Sequence, residues 1–205
     1  MEIKCAQTGP IAVNTYLCYD ETKKGFIVDP GGYSDFLKKT IQNKQLDIEY
    51  IILTHGHGDH IAGIEEFKEL CPKALIVGSQ DELVMFSDGL NNGSVDIFGR
   101  PITVKCDKLV ADGTKLKVGN MDLTFITTPG HTPGGMCVLV GDVLFSGDTL
   151  FQRSVGRTDL FGGNFTKLAE SIKNKLFSLP EEVTVLPGHM GPTTIGDEKR
   201  SNPFV

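Results

Sequence analysis

An apolar run, residues 49–54 (EYIILT), leads straight into THGHGDH, which sets His55, His57, Asp59 and His60 within six consecutive residues. A strand end followed by a glycine-punctuated loop can aim alternate side chains at one point, and Gly56 and Gly58 remove the bulk that would hold them apart. The other two histidines also follow strand-like runs: His131 in TTPGHTPGG after 123–127, and His189 in LPGHMG after 183–186. Asp148, in FSGDTLF, follows another. All five histidines therefore stand in loops at strand ends, four of them beside a glycine. A fold that uses them together must gather several strand ends along one edge.

The surrounding pattern supplies such strands. Short strands are expected at 3–7, 15–19 and 26–29, then a helix over 34–42 with Ser34 as its cap. The strand 49–54 follows, then a helix over 61–70, a strand at 74–77 and a short helix at 80–85. Residues 87–101 (SDGLNNGSVDIFGRP) read as a loop, a surface excursion or a lid over a site. From residue 116 the chain turns β, with strands at 116–118, 122–127, 135–140 and 143–146 separated by turn residues. An amphipathic helix is expected over 164–179, with Leu168, Ile172, Leu176 and Leu179 inward, and a last strand over 182–186. The tail reads as loop or one helical turn. The rhythm is two-fold: meander, helix, strand plus histidine loop, and then the same again. Two sheets sandwiched between helices accommodate it, in one α/β domain spanning 1–205.

Composition narrows the partners. A net charge of −6 gives no electrostatic footprint for nucleic acid or an anionic membrane. The start of the chain holds no apolar run of signal-peptide length, and no stretch approaches the roughly 18 apolar residues of a membrane span. The five cysteines, Cys5, Cys18, Cys71, Cys106 and Cys137, are odd in number, scattered and without a CxxC pair. That fits a reducing, cytoplasmic setting and buried inert thiols at Cys18 and Cys137.

Neutral imidazoles mixed with carboxylates suit zinc, iron or manganese, whereas calcium or magnesium would take oxygen alone. A purely structural zinc site is usually rich in cysteine and four-coordinate. Seven candidate ligands exceed what one tetrahedral ion can use. Two ions use all seven: His55, His57 and His131 on the first, Asp59, His60 and His189 on the second, and Asp148 between them. Such a pair, about 3.5–4 Å apart, brings the pKa of a shared water toward about 7.

These residues resemble the metallo-β-lactamase fold superfamily, with its HxHxDH loop, later histidine, bridging aspartate and last histidine. Within it the chain is similar to small glyoxalase II-like (hydroxyacylglutathione hydrolase-like) members, and the likeness covers nearly the whole chain. The resemblance implies a four-layer αββα sandwich with the site at one edge, the same seven metal positions, and two divalent ions, zinc before iron or manganese. It implies a thioesterase in which metal-bound hydroxide attacks a thioester carbonyl, with Asp59 and Asp148 as the catalytic carboxylates. Asp148, where antibiotic-hydrolysing members carry cysteine, points away from that branch. In GDTLFQRSVGRTDLFGG, Arg157 falls where the family carries a basic substrate-binding residue, and Arg153 is a second candidate. Sixteen residues follow His189, too few for the helical domain with which glyoxalase II grips glutathione, and Met190 replaces the acid found there.

Three other readings compete. VGRTD also resembles persulfide dioxygenases, whose single iron would sit on His55, His131 and Asp148. A lactonase or nuclease of the same fold is another, and a non-catalytic scaffold the last. The partner expected from the residues is a small molecule, a thioester in the preferred reading.

Overall fold

The computed structural model describes residues 1–205. The first sheet contains β1 (Glu2–Thr8), β2 (Val13–Tyr19), β3 (Lys24–Val28), β4 (Asp47–Ile52), β5 (Leu75–Ser79) and β6 (Lys108–Val110), in that spatial order. The first three run antiparallel, and β3 to β6 are parallel. The second sheet starts with an antiparallel meander, β7 (Lys115–Val118), β8 (Met121–Thr127), β9 (Met136–Val140) and β10 (Val143–Gly147). A two-stranded hairpin, β11 (Leu150–Phe151) and β12 (Ser154–Val155), leaves that sheet. The chain then returns as β13 (Thr184–Pro187), parallel to β10, and β14 (Thr193–Thr194) closes the edge. Seven helices connect or cover the sheets: α1 (Asp35–Lys44), α2 (Gly58–Ile61), α3 (Ile64–Leu70), α4 (Leu83–Ser87), α5 (Ser94–Phe98), α6 (Phe165–Ser171) and α7 (Ile195–Ser201).

Strand alternation creates the layers. Successive side chains point to opposite faces, so a strand buried on both faces must be apolar on both. In β2, Tyr16 and Cys18 enter the core between the sheets, while Leu17 and Tyr19 join the core beneath α1 and α3. In β10, Phe145 faces the inter-sheet core and Leu144 faces Leu168 and Ile172 of the helical layer behind. Three apolar cores separate four layers, the αββα sandwich expected from the sequence. Phe145 fills the centre, its ring edge-on to Tyr16 at 5.3 Å and Phe26 at 6.0 Å.

Several local expectations are corrected. The helix expected over 61–70 is broken at Gly63, whose N–H is drawn out to the Pro30 carbonyl at 2.7 Å. A Cβ there would lie 2.7 Å from the Gly32 nitrogen, so the chain passes too close for any other residue. The segment 87–101 holds α5. The helix expected over 164–179 is capped by Asn164, but after Ser171 it widens, with Phe177 N–H donating to Ile172 O at 2.9 Å. That wider turn keeps Leu168, Ile172 and Leu176 on one buried face. The tail forms β14 and α7, capped by Thr194. Neither β6 nor the hairpin β11–β12 was expected from pattern. No helix is long and apolar enough to cross a membrane.

Candidate metal centre

Four strand ends meet at one edge of the two sheets. β4 leads into His55, His57 and α2, which carries Asp59 and His60; β8 leads to His131, β10 to Asp148 and β13 to His189. The parallel pairing of β10 with β13 puts Gly147 opposite Pro187, which brings Asp148 and His189 to the same level. Close approach also needs glycine. A Cβ on Gly188 would lie 2.4 Å from Asp148 Oδ1 and 2.6 Å from His60 Cε1, and one on Gly58 would lie 2.6 Å from Ser94 Cβ.

The seven side chains named from the sequence come together in two groups. The ligand atoms of His55, His57 and His131 lie within 4.8 Å of one another, and so do those of Asp59, His60 and His189. Asp148 stands between them, with Oδ1 3.5 Å from His60 Nε2 and Oδ2 3.6 Å from His131 Nε2. Asp59 Oδ2 lies 3.3 Å from His189 Nε2.

Hydrogen bonds set the imidazole tautomers. His60 Nδ1–H donates to Asp29 at 2.9 Å, and His131 Nδ1–H donates to the Arg157 carbonyl at 2.7 Å. His55 Nδ1–H donates to the Thr54 hydroxyl at 3.1 Å, and that hydroxyl donates to Asp29 at 2.6 Å. In its neutral form each ring is thereby held with its Nε2 lone pair free, the usual arrangement around a metal-binding histidine. Nε2 of His55, His57, His60 and His131 and Oδ1 of Asp148 are buried with no hydrogen-bond partner. Buried polar atoms rarely lack partners, and here five face one another. Divalent cations fit this donor set of imidazole nitrogens and carboxylate oxygens.

The electrostatics separate the two groups. Burial, reinforced by His60, lowers His55 far below the ordinary imidazole range; burial and His131 bring His57 to about 3, and burial also lowers His131. All three are neutral at pH 7, as ligands must be. Burial opposes charge on His60, but the carboxylates of Asp148, Asp59 and Asp29 outweigh it and raise His60 to about 10, so its Nε2 takes up a proton that a metal ion would have to displace. Burial likewise opposes charge on Asp59, yet His60 and His189 hold its carboxyl below the ordinary carboxylate range.

Three residues matter here that sequence reasoning passed over. Asp29 accepts from Thr54 N–H, the Thr54 hydroxyl and His60, so it serves as the acceptor that fixes two histidines. It also lies near His55 and His60 at ligand-like spacing, but its oxygens already hold these donors. Thr54 is the relay. Glu82, wholly buried, accepts from Gly56 N–H at 2.9 Å and Gly134 N–H at 2.6 Å. For Asp29 a sequence cue existed, an acid before Pro-Gly-Gly at a strand end. Glu82 had none.

Residues 8–189 match the sequence profile of the Metallo-beta-lactamase superfamily. The chain belongs to that superfamily. Among its relatives is the hydroxyacylglutathione hydrolase GloC of Haemophilus influenzae, 33% identical over 100% of this chain and 98% of GloC. Among solved structures, BLEG-1 B3 metallo-beta-lactamase superposes with a TM-score of 0.92 at 39% identity, covering 99% of each chain. TTHA1623 in a di-iron-bound form does so with a TM-score of 0.85 at 31% identity, covering 98% of this chain and 100% of that one.

Above the histidines lies a cavity of about 530 Å³, with His57, Asp59, His131, Asp148 and His189 in its floor. Arg157 lines it, although its guanidinium is engaged by Asp159 through two bonds of 2.7 Å. Arg153 does not line the cavity; its backbone N–H donates to Glu198 at 2.8 Å.

Proposed function

We propose that this chain is a thioester hydrolase of the glyoxalase II type working with two divalent ions, zinc in preference to iron or manganese. His55, His57 and His131 would hold one ion, Asp59, His60 and His189 the other, and Asp148 would span both. The position of Asp148 carries the reading, since its two oxygens face histidines of different groups at 3.5 and 3.6 Å. The GloC relative supports the thioester. Bound ions would supply an acidified water and an electrophile for a carbonyl oxygen.

The chain's own groups do the rest. Asp59 is ionised at neutral pH and reaches the floor of the cavity, where it can orient the attacking water and accept its hydrogen bond. Asp29 and the Arg157 carbonyl keep His60 and His131 from turning. The cavity walls position the substrate and exclude bulk water. Water adds to the thioester carbonyl, the C–S bond breaks, and the thiol leaves with a proton, giving an acid and a thiol.

The test is a panel of thioester, lactone, β-lactam and persulfide substrates on protein reconstituted with zinc, manganese or iron. Thioester turnover with two ions per chain is expected, falling by about 10²-fold or more in Asp148→Ala. Near-normal turnover of Asp148→Ala with both ions bound refutes the bridging role. One iron per chain with rapid oxygen uptake on a persulfide overturns the hydrolase reading in favour of a dioxygenase, and β-lactam turnover alone moves the substrate to the branch of BLEG-1.

A further inference from the structure

The wall of the cavity over the histidines differs in character from its floor. Six apolar side chains line it: Ile11 from the β1–β2 turn, Ile97 of α5, Phe151 and Val155 of the β11–β12 hairpin, Leu160, and Met190 beside His189. Ile11, Leu160 and Met190 are each more than two-fifths exposed and form an apolar rim. Only two charged side chains stand on the wall, Asp96 and Arg157. Asp96 repels an anion. Arg157 Nε and Nη2 are both taken up by Asp159 at 2.7 Å, so an incoming carboxylate must displace a two-pronged partner. The polar Asn92 is spent too: its amide donates to the Met85 and Ile102 carbonyls, and its oxygen accepts from Ser94 N–H.

Met190 gives an independent observation. Its backbone is left-handed, with φ 68°, a conformation that glycine or asparagine adopts far more readily than methionine. Asn14 holds it there, donating to the Met190 carbonyl at 2.9 Å and the Pro187 carbonyl at 3.0 Å. Strained positions of this kind concentrate at ligand sites. Here the strain sets a flexible apolar side chain on the rim, against the cavity mouth.

We infer that the site selects thioesters of uncharged thiols and discriminates against peptide thiols such as glutathione, which bring carboxylates to this wall. This rests on the thioester reading for the reaction and moves its substrate away from the glutathione thioesters of the glyoxalase II type; the preference itself rests on the wall. The two are therefore measured separately. Binding of two thioethers that cannot be hydrolysed, S-hexylglutathione and S-hexyl-N-acetylcysteamine, is measured by calorimetry on the zinc-loaded protein. The uncharged compound is expected to bind about tenfold more tightly or better, and equal or reversed affinities overturn the inference. Turnover of the S-hexanoyl esters of the same two thiols should show a kcat/KM ratio of about ten or more favouring the uncharged ester, carried by KM. A preference for the glutathione ester overturns the inference. If neither ester turns over while a lactone does, the thioester reading falls and the binding ratio still decides the wall. Asp159→Asn, an exposed change that frees Arg157, is expected to tighten S-hexylglutathione binding by about threefold to fivefold. An unchanged Kd overturns the ion pair as the excluding element.

Discussion

Replacing Glu82 with glutamine tests whether one buried carboxylate couples the loop of His55 and His57 to the loop of His131. Gly56 stands between His55 and His57, and Gly134 lies three residues beyond His131; Glu82 accepts from the N–H of both. Burial pushes its carboxyl from 4.5 up to about 7, even though the two amides favour the ionised form. A folded value above the unfolded one means that the folded chain binds the extra proton between those pH values. Its contribution to stability is full below about pH 4.5 and is lost as pH rises through about 7. The gap between those values corresponds to about 3 kcal/mol. Glutamine cannot titrate. In metal-free protein, the stability of Glu82→Gln relative to the parent is expected to rise by about 3 kcal/mol between pH 4.5 and 7.5. For a chain of this size that amounts to about 6–12 °C in relative Tm. Urea unfolding of both proteins across the pH range reads it. Glutamine also offers one acceptor oxygen where glutamate offers two, so one loop N–H meets an amide donor. Zinc affinity, read by chelator competition, is expected to fall about 10- to 100-fold. The variant would thus gain stability relative to the parent as pH rises and still be the weaker metal binder. Parallel stability curves within about 0.5 kcal/mol, together with unchanged zinc affinity, would refute the coupling.

Three further changes bear on the same structure. Asp29→Asn removes the charge that holds His60 and, through Thr54, His55; metal affinity should drop about 10- to 100-fold by chelator competition, with the fold intact by circular dichroism. Gly188→Ala places a methyl 2.4 Å from Asp148 Oδ1, so bound metal per chain, measured by mass spectrometry of the element, should fall well below that of the parent. Phe145→Ala empties the centre of the inter-sheet core and should cost about 3–5 kcal/mol in urea unfolding, and a cost under about 1 kcal/mol would mean the core is not packed as described.

Much of the centre was legible because its residues carry a local signature. Three imidazoles and a carboxylate at fixed offsets after an apolar strand are visible along the chain, and His131, Asp148 and His189 each sit in a comparable strand-end loop. The two-fold rhythm of strands and helices was legible for the same reason, since side-chain periods of two and 3.6 are local. The two-residue strands β11 and β12 and the single helical turn α5 are each shorter than two of their own side-chain periods, and the expected pattern missed them. Gly63 lies inside the helix expected over 61–70, and only its approach to Gly32 shows why the helix must break there.

The sequence by itself therefore determined which side chains are the candidate metal ligands, that strand ends must carry them to one edge, and that two sheets lie between helical layers. Tertiary structure decided what holds and surrounds them. Asp29 meets His60 across 31 residues of chain, and Glu82 meets Gly134 across 52. It also set Met190 on the cavity rim, its carbonyl held by Asn14 from 176 residues away in the chain. Ligand chemistry belongs to the residue type and can be read one position at a time. Tautomer, protonation and substrate preference depend on distances between residues far apart in the chain, and those distances exist only once it has folded.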